Sequence, residues 1–473
     1  MSVAASGSLV DDVLDGDRSA SPAGRIEMAV RRRVESRELA TGARLPSVRE
    51  LARAADVSRH AVVEAYDRLQ ALGYVASRRG AGFYVAEGHR RRAEDLTSER
   101  RRAYDVAWLI RDVLEADDSW LKVGGPWLPE SWLDLEGLQS AVRALGRGED
   151  VGHLTRYGPP LGYLPLRGQL QLLLAELGVE ARADQILTTH GASHALDLIV
   201  RHYVREGDAV LVEDPGYYNL FGYLRLCGAR LIGVPRRPDG PDVAALRALA
   251  AEHAPRLFFT QSALQNPTGS STTPAVAYRV LEAARDFGLT IVEDDTYADL
   301  DSHAGPRLAS LDQLERVIYV RSFSKALSGS LRVGFIAAAP PVIDELAGRK
   351  VLSAISTSLF SEKLIFRLVS EGHYRRYLER VRGRIREARA AALTLLGGAG
   401  MEVMVEPRDG NFLWARFPGV PEARSLAERA RSQGVILGIG DVFRPNLEAS
   451  PWMRFNVTLC GDARLGRFVN QVR

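Results

Sequence analysis

Lysine is nearly missing from this chain. Of its 62 cationic residues only Lys122, Lys325, Lys350 and Lys363 are lysines, and the rest are arginines. Any chemistry that needs a lysine amine must use one of these four positions. Cysteine is scarcer still. Cys227 and Cys460 stand far apart and make neither a disulfide framework nor a metal knuckle, so both read as small buried hydrophobes. No apolar run reaches the roughly 18 residues of a membrane span. The first residues carry Asp11, Asp12, Asp15 and Asp17, with no basic start and apolar core, which excludes a secretory signal. No internal repeat is visible. A soluble cytoplasmic protein without a membrane partner is the expectation.

What is present is a globular composition, 46% hydrophobic and 26% charged, over 473 residues, enough for two or three domains. The near-neutral total of +3 conceals a division. Residues 25–92 hold 15 Arg against 8 acids, a net of +7, which leaves −4 for the remainder. A basic block on an acidic body points to a polyanion partner for that block alone. Four stretches follow from these shifts: a disordered leader over 1–21, a compact block over 22–86, a linker over 87–118 and a large block over 119–473. In the linker, Val106, Leu109, Ile110, Val113 and Leu114 recur at helical spacing, which predicts a short amphipathic helix.

In the basic block a first helix is expected from about Arg25 to Arg37. In Leu45-Pro46-Ser47-Val48-Arg49-Glu50-Leu51, Ser47 and Glu50 form a capping box for a second helix. Asp56-Val57 turns the chain, Ser58 caps the next helix, and Val62, Ala65, Tyr66, Leu69 and Leu72 give that helix one apolar stripe. This is a helix-turn-helix. Two short strands follow around Arg78-Arg79-Gly80-Ala81, a hairpin with a basic tip. No helix follows Gly80-x-Gly82, so it is not a dinucleotide loop. Arg59 and His60, at the start of the third helix, suit base edges in a major groove; Arg49, Arg78 and Arg79 suit phosphates. The stretch resembles the winged helix of GntR-type regulators, whose pattern is close to Leu-Pro-Ser-x-Arg-x-Leu-Ala, then Ser-Arg-x-Thr-Val and a Gly-x-Gly wing. The resemblance implies that Arg49, Ser58, Arg59, His60, Arg78 and Arg79 meet DNA.

In the large block, apolar runs at 186–189, 209–212, 229–234, 256–260, 289–292, 317–320 and 331–338 alternate with helical stretches. Such runs indicate a mainly parallel sheet covered on both faces, with chemistry at the strands' carboxyl ends. Lys325 follows one run in Arg321-Ser322-Phe323-Ser324-Lys325, with Arg332 seven residues later. A lysine there can hold an aldehyde cofactor while hydroxyls and an Arg anchor its phosphate. Asp294 can keep a pyridine nitrogen protonated, and Tyr297 and Asn266 can bond its phenolic oxygen. Gly191-Ala192-Ser193 opens a helix whose N–H groups can bind phosphate. Tyr217 can stack on the ring. Arg454, in Trp452-Met453-Arg454-Phe455-Asn456, suits bidentate capture of a carboxylate.

His190 and His194 are spaced like helical metal ligands, but neither HExxH nor a carboxylate cluster accompanies them, and no metal is expected. Ser322-x-x-Lys325 also spells a penicillin-binding motif, but its companion Lys-Thr-Gly is absent. The ensemble resembles fold-type I pyridoxal-phosphate enzymes of the aspartate aminotransferase class. That implies Lys325 as the Schiff-base lysine, Asp294 at the ring nitrogen, Tyr297 and Asn266 at the phenolic oxygen, and Tyr217 on the ring. It makes Gly191, Ala192, Ser193, Ser322 and Arg332 the phosphate site and Arg454 the carboxylate clamp. In Tyr157-Gly158-Pro159-Pro160-Leu161-Gly162, Tyr157 matches a tyrosine that reaches the neighbouring subunit's phosphate.

The whole chain resembles MocR/GabR-type transcription regulators. The implied fold is α/β: a winged helix-turn-helix joined to a fold-type I transferase domain, with a mainly parallel seven-stranded large lobe and a smaller α+β lobe. The implied function is a bacterial regulator, homodimeric and domain-swapped, that binds an operator with two half-sites. It would sense an amino acid, an amine or pyridoxal phosphate itself. A working aminotransferase with an accessory DNA-binding domain is the alternative, and a cofactor-free scaffold a third reading. Gly438-Ile439-Gly440-Asp441 stands where relatives often carry Pro-Gly before an aromatic residue, beside the expected effector cleft.

Overall fold

The computed structural model describes residues 4–14, 21–35, 38–40, 42–71, 74–78, 82–86, 113–116, 119–147, 152, 154–302 and 305–472. The chain divides into two compact units, 1–101 and 102–473.

The leader was expected to be disordered, but residues Ala4–Leu14 form helix α1, with Leu9 and Val13 buried against α2 (Pro22–Glu35). Leu9 and Val13 are one helical turn apart, so both lie on one side of α1 and pack together. Arg33 donates to Asp12 and holds its carboxyl below the ordinary range. Pro22 occupies the first position of α2, where its missing N–H costs nothing.

Helix α3 (Val48–Ala54) starts at the expected capping box: the Glu50 amide donates to Ser47 Oγ and the Ser47 amide to Glu50. Ser47→Ala should therefore lower the stability of this unit by about 1 kcal/mol, read from the chemical denaturation midpoint. Asp56 turns the chain at φ 47°, and the Ala61 amide at the start of α4 (Arg59–Ala71) donates to Ser58 Oγ at 3.1 Å. Ile26, Val30, Leu51, Val62, Ala65, Tyr66 and Leu69 are fully buried between the helices. The Tyr66 hydroxyl reaches Pro46 O at 2.8 Å, and its ring lies 4.7 Å from Phe83. Strands β1 (Val75–Arg78) and β2 (Gly82–Val85) pair antiparallel, Val75 opposite Val85 and Arg78 opposite Gly82.

In the second unit each of the seven apolar runs becomes a strand: β3 (Ile186–Thr189), β4 (Ala209–Asp214), β5 (Arg230–Arg237), β7 (Leu257–Thr260), β8 (Thr290–Asp294), β9 (Val317–Ser322) and β10 (Gly334–Ala337). An eighth, the two-residue β6 (Gly240–Pro241), folds back on the end of β5. The order is β3-β10-β9-β8-β7-β4-β5-β6, and β10 runs antiparallel to both its neighbours. The helices are α5 (Leu135–Arg147), α6 (Leu164–Ala175), α7 (Gly191–Tyr203), α8 (Tyr218–Leu226), α9 (Val243–His253), α10 (Pro274–Phe287), α11 (Leu308–Asp312), α12 (Pro340–Ala354), α13 (Leu359–Ser370), α14 (His373–Gly398), α15 (Arg424–Arg431) and α16 (Ala463–Val472).

Strand residues alternate between two cores. Leu211, Phe258 and Ile291 pack with α6, α9 and α10, while Val210, Val212, Phe259 and Val292 pack with α7, α8 and α12. A smaller antiparallel sheet, ordered β11-β12-β14-β13, comprises Glu402–Val403, Phe412–Arg416, Trp452–Asn456 and Gly438–Ile439 for β11, β12, β14 and β13. Residues 121–124 lie against its β13 end: Gly124 donates to Ile436 O and Ile436 to Leu121 O. Of the expected linker helix, only Val113–Glu115 fall among the described residues, and they are helical. No helix among the described residues is long and apolar enough to cross a membrane.

Candidate cofactor and ligand site

β3, β4, β7, β8 and β9 end on one edge of the large sheet, and the polar side chains that follow them meet there. Two adjoining cavities result, of about 490 and 60 Å³. Lys325, Ser193, Tyr217, Asn266, Tyr297 and Arg332 line both. Ala192, Asp294 and Ser322 line the smaller, and Arg454 the larger.

Burial, with Arg454 and Arg332 nearby, lowers the Lys325 amine to about 8, against the opposing charge of Asp294. An amine so shifted is partly neutral, hence nucleophilic, near neutral pH. Asp294 is pushed up to about 6, chiefly by burial. The donors to it are neutral: Gln261 Nε2 at 3.1 Å and the Thr296 amide at 3.1 Å, together with the Thr296 hydroxyl. A buried carboxylate satisfied only by neutral groups fits a cationic ring nitrogen.

At the other end, α7 presents its first amides. The Arg332 guanidinium donates to His190 O at 3.0 Å and to Ser324 Oγ at 3.3 Å, and the Ser322 and Ser324 hydroxyls are 2.9 Å apart. Gly191 has φ 76°, and a Cβ there would lie 2.8 Å from Arg332 Nη2. Only glycine admits this arrangement of helix N-terminus, hydroxyls and guanidinium, which can hold a phosphate. The amine, carboxylate and anion cradle in one cavity fit pyridoxal phosphate.

Arg454 is buried between Phe412 and Phe443, its guanidinium carbon 4.6 and 4.8 Å from their ring centres. Nε and Nη2 donate to Gly124 O, and Nη1 to Asn266 Oδ1 at 2.5 Å. Three of its five N–H groups are thus used, which leaves one on each terminal nitrogen for a carboxylate. Because Asn266 Oδ1 accepts from Arg454, the NH₂ of that amide is the group left to donate to a cofactor oxygen. Gly124 meets Gly438 so closely that a Cβ on Gly124 would lie 2.2 Å from Gly438 N.

Tyr157 lines neither cavity and is 79% exposed. His194 Nδ1 accepts from the His190 amide at 3.1 Å, and no group of three His, Cys, Asp or Glu among the described residues is arranged to hold a metal. Sequence reasoning missed Gln261 and Thr296, whose signal was their place just beyond strand ends. Lys350 and Lys363 are both buried; Lys350 donates to Pro160 O at 2.8 Å, and burial lowers its amine to about 8. In the first unit, Arg49, Ser58, Arg59 and His60 are exposed around the starts of α3 and α4. Arg78 ends β1; Arg79 lies outside the described residues.

The family described as aminotransferase class I and II matches residues 131–472, and that described as bacterial regulatory proteins, gntR family, matches residues 22–85. A 2-aminoadipate transaminase of Thermus thermophilus is 36% identical over 68% of this chain and 81% of its own length. The probable rhizopine catabolism regulatory protein MocR of Rhizobium meliloti is 29% identical over 89% of this chain and 87% of its own. Among solved structures, LysN, an α-aminoadipate aminotransferase of Thermus thermophilus complexed with N-(5'-phosphopyridoxyl)-L-leucine, superposes with a TM-score of 0.70. It is 30% identical and covers 77% of this chain and 94% of its own. The chain therefore belongs to the class I and II aminotransferase family through its larger unit and carries a gntR-family domain ahead of it, the composition of the MocR/GabR-type regulators.

Proposed function

We propose that this chain is a cytoplasmic, pyridoxal-phosphate-dependent transcription regulator that couples amine sensing in the cavity to DNA binding. Residues 22–86 form the DNA-binding domain, 87–118 the linker and 119–473 the sensing domain. The observation that carries this reading is the convergence of Lys325, Asp294, Arg332 and Arg454 on two adjoining cavities, in a chain that also exposes Arg59 and His60 at a helix start.

When bound, pyridoxal phosphate supplies an aldehyde that bonds amines reversibly and a ring that withdraws electrons. Lys325 offers the resident amine. Asp294 holds the proton at the ring nitrogen, Tyr217 stacks on the ring, and Asn266 and Tyr297 orient it through its phenolic oxygen. Gly191, Ala192, Ser193, Ser322 and Arg332 hold the phosphate. Tyr157, exposed on one protomer, reaches the partner's phosphate, so the site is completed in a domain-swapped homodimer. Arg454 orients the carboxylate of an incoming ligand. Release of the Lys325 amine changes charge and packing in the cleft, and a two-state lobe closure relays it along the linker to the spacing of two winged helices on two half-sites.

Binding to an operator fragment in a mobility-shift titration tests the DNA arm. Arg59→Ala should cost about 1–3 kcal/mol and relax base preference, whereas Arg78→Ala and Arg79→Ala should weaken all sequences alike and flatten the salt dependence. Equal, sequence-blind losses from all three would overturn the groove assignment. The second reading, a working aminotransferase, is favoured by the complete Lys325, Asp294 and Arg454 set. Turnover at ordinary enzyme rates, without any specific DNA site, would establish it instead.

A further inference from the structure

The ligand class can be read from the walls of the larger cavity, on the reading of the site just given. Only Lys325, Arg332 and Arg454 among its described lining residues are charged, and the smaller cavity adds Asp294. All four are already committed, as amine, phosphate anchor, α-carboxylate clamp and ring-nitrogen partner respectively. The charged groups on either side of Val442 and Phe443 are satisfied as well. Arg444 grips Asp214 with two bonds of 2.5 and 3.0 Å, and Asp441 accepts from Arg424 at 3.2 Å and from the Ser450 amide at 2.9 Å. The remaining wall is largely apolar: Leu114, Trp127, Leu437, Ile439, Val442 and Phe443 face the space that a ligand side chain would fill.

We propose that the ligand is a neutral α-amino acid with a bulky apolar side chain. The α-carboxylate takes the two remaining N–H groups of Arg454, and the side chain lies along the wall that runs from Leu437 to Phe443. Among the described lining residues, a side-chain carboxylate in that place would lose its hydration and find no spare cation, and a side-chain ammonium no spare anion. Burial of an apolar side chain carries no such cost.

Three six-carbon amino acids make a matched test: L-norleucine, L-2-aminoadipate and L-lysine. The full-length protein, loaded with pyridoxal phosphate, is titrated with each while the visible absorbance of the lysine-bound cofactor is followed. L-Norleucine should half-saturate the response at a concentration about tenfold or more below the other two. Equal or tighter binding of 2-aminoadipate or lysine overturns the proposal. A cofactor band that no amino acid disturbs also overturns it, yet leaves the cofactor site standing. Absence of any band removes both. Val442→Arg, which places a cation on the wall, should keep the band and move the preference toward 2-aminoadipate by at least about tenfold. If that variant binds cofactor with an unchanged order of preference, the wall does not face the ligand and the proposal fails; if it does not fold, the wild-type order alone decides.

Discussion

Lys325→Ala should abolish the visible absorbance band of protein-bound pyridoxal phosphate. The loss should be complete, because no other lysine borders either cavity. Lys122 donates to Ala116 O at 2.7 Å, Lys350 is committed to Pro160 O, and Lys363 lies over the Tyr163 ring. Survival of the band would mean that a different amine holds the cofactor. The same residue sets a pH dependence. Only the neutral amine bonds an aldehyde, and a lysine in water is neutral above about 10.4. Here burial and the charges of Arg454 and Arg332 bring that point down to about 8. The rate at which the cofactor-free protein captures pyridoxal phosphate should therefore rise with pH up to about 8 and flatten above it. It should fall at lower pH as the amine gains its proton. A rate still climbing toward 10 would place the reacting amine in water. Asp294 limits the acid side: its carboxyl, raised to about 6, is ionised through the neutral range and can hold a cationic ring nitrogen there.

Much of this site was legible in the sequence for a physical reason. Strands buried on both faces read as unbroken apolar runs, so each run predicted its strand, and the polar signature after it fell on the functional edge. Asp294, Lys325 and Gly191 were found in this way, each just past or at the end of a strand. The capping box of α3 was legible because it is local: both partners lie within one turn. What was not legible depends on pairings distant in sequence. Arg454 owes its setting to Asn266 and Gly124, 188 and 330 positions away. Lys350 sits amid Pro160, Thr188 and Thr357, brought together only by the fold. Helix α1 was not legible because Leu9 and Val13 find their cover only in α2, which the fold brings against them.

Arg454→Leu should weaken the response to α-amino acids by about 3–4 kcal/mol, roughly 100- to 1000-fold in concentration. Much of that cost is the loss of a two-pronged, charge-assisted contact inside a cavity flanked by Phe412 and Phe443, where a carboxylate has little water to fall back on. Leucine keeps an apolar filling between the rings but leaves Gly124 O and Asn266 Oδ1 without their donor. A merely structural role is separable from carboxylate capture. Pentylamine is norleucine without its carboxylate, so its response should change little; an equal loss for pentylamine and norleucine would show that Arg454 only holds the lobe together. The lysine band supplies a second readout. Arg454 is among the charges that lower the Lys325 amine. Its removal should let that amine rise toward its ordinary value, so the plateau for cofactor capture should move to higher pH. If selectivity for the carboxylate falls while that plateau stays at about 8, Arg454 binds ligand without acting on Lys325. If both change together, one guanidinium orients the ligand and keeps the resident amine nucleophilic.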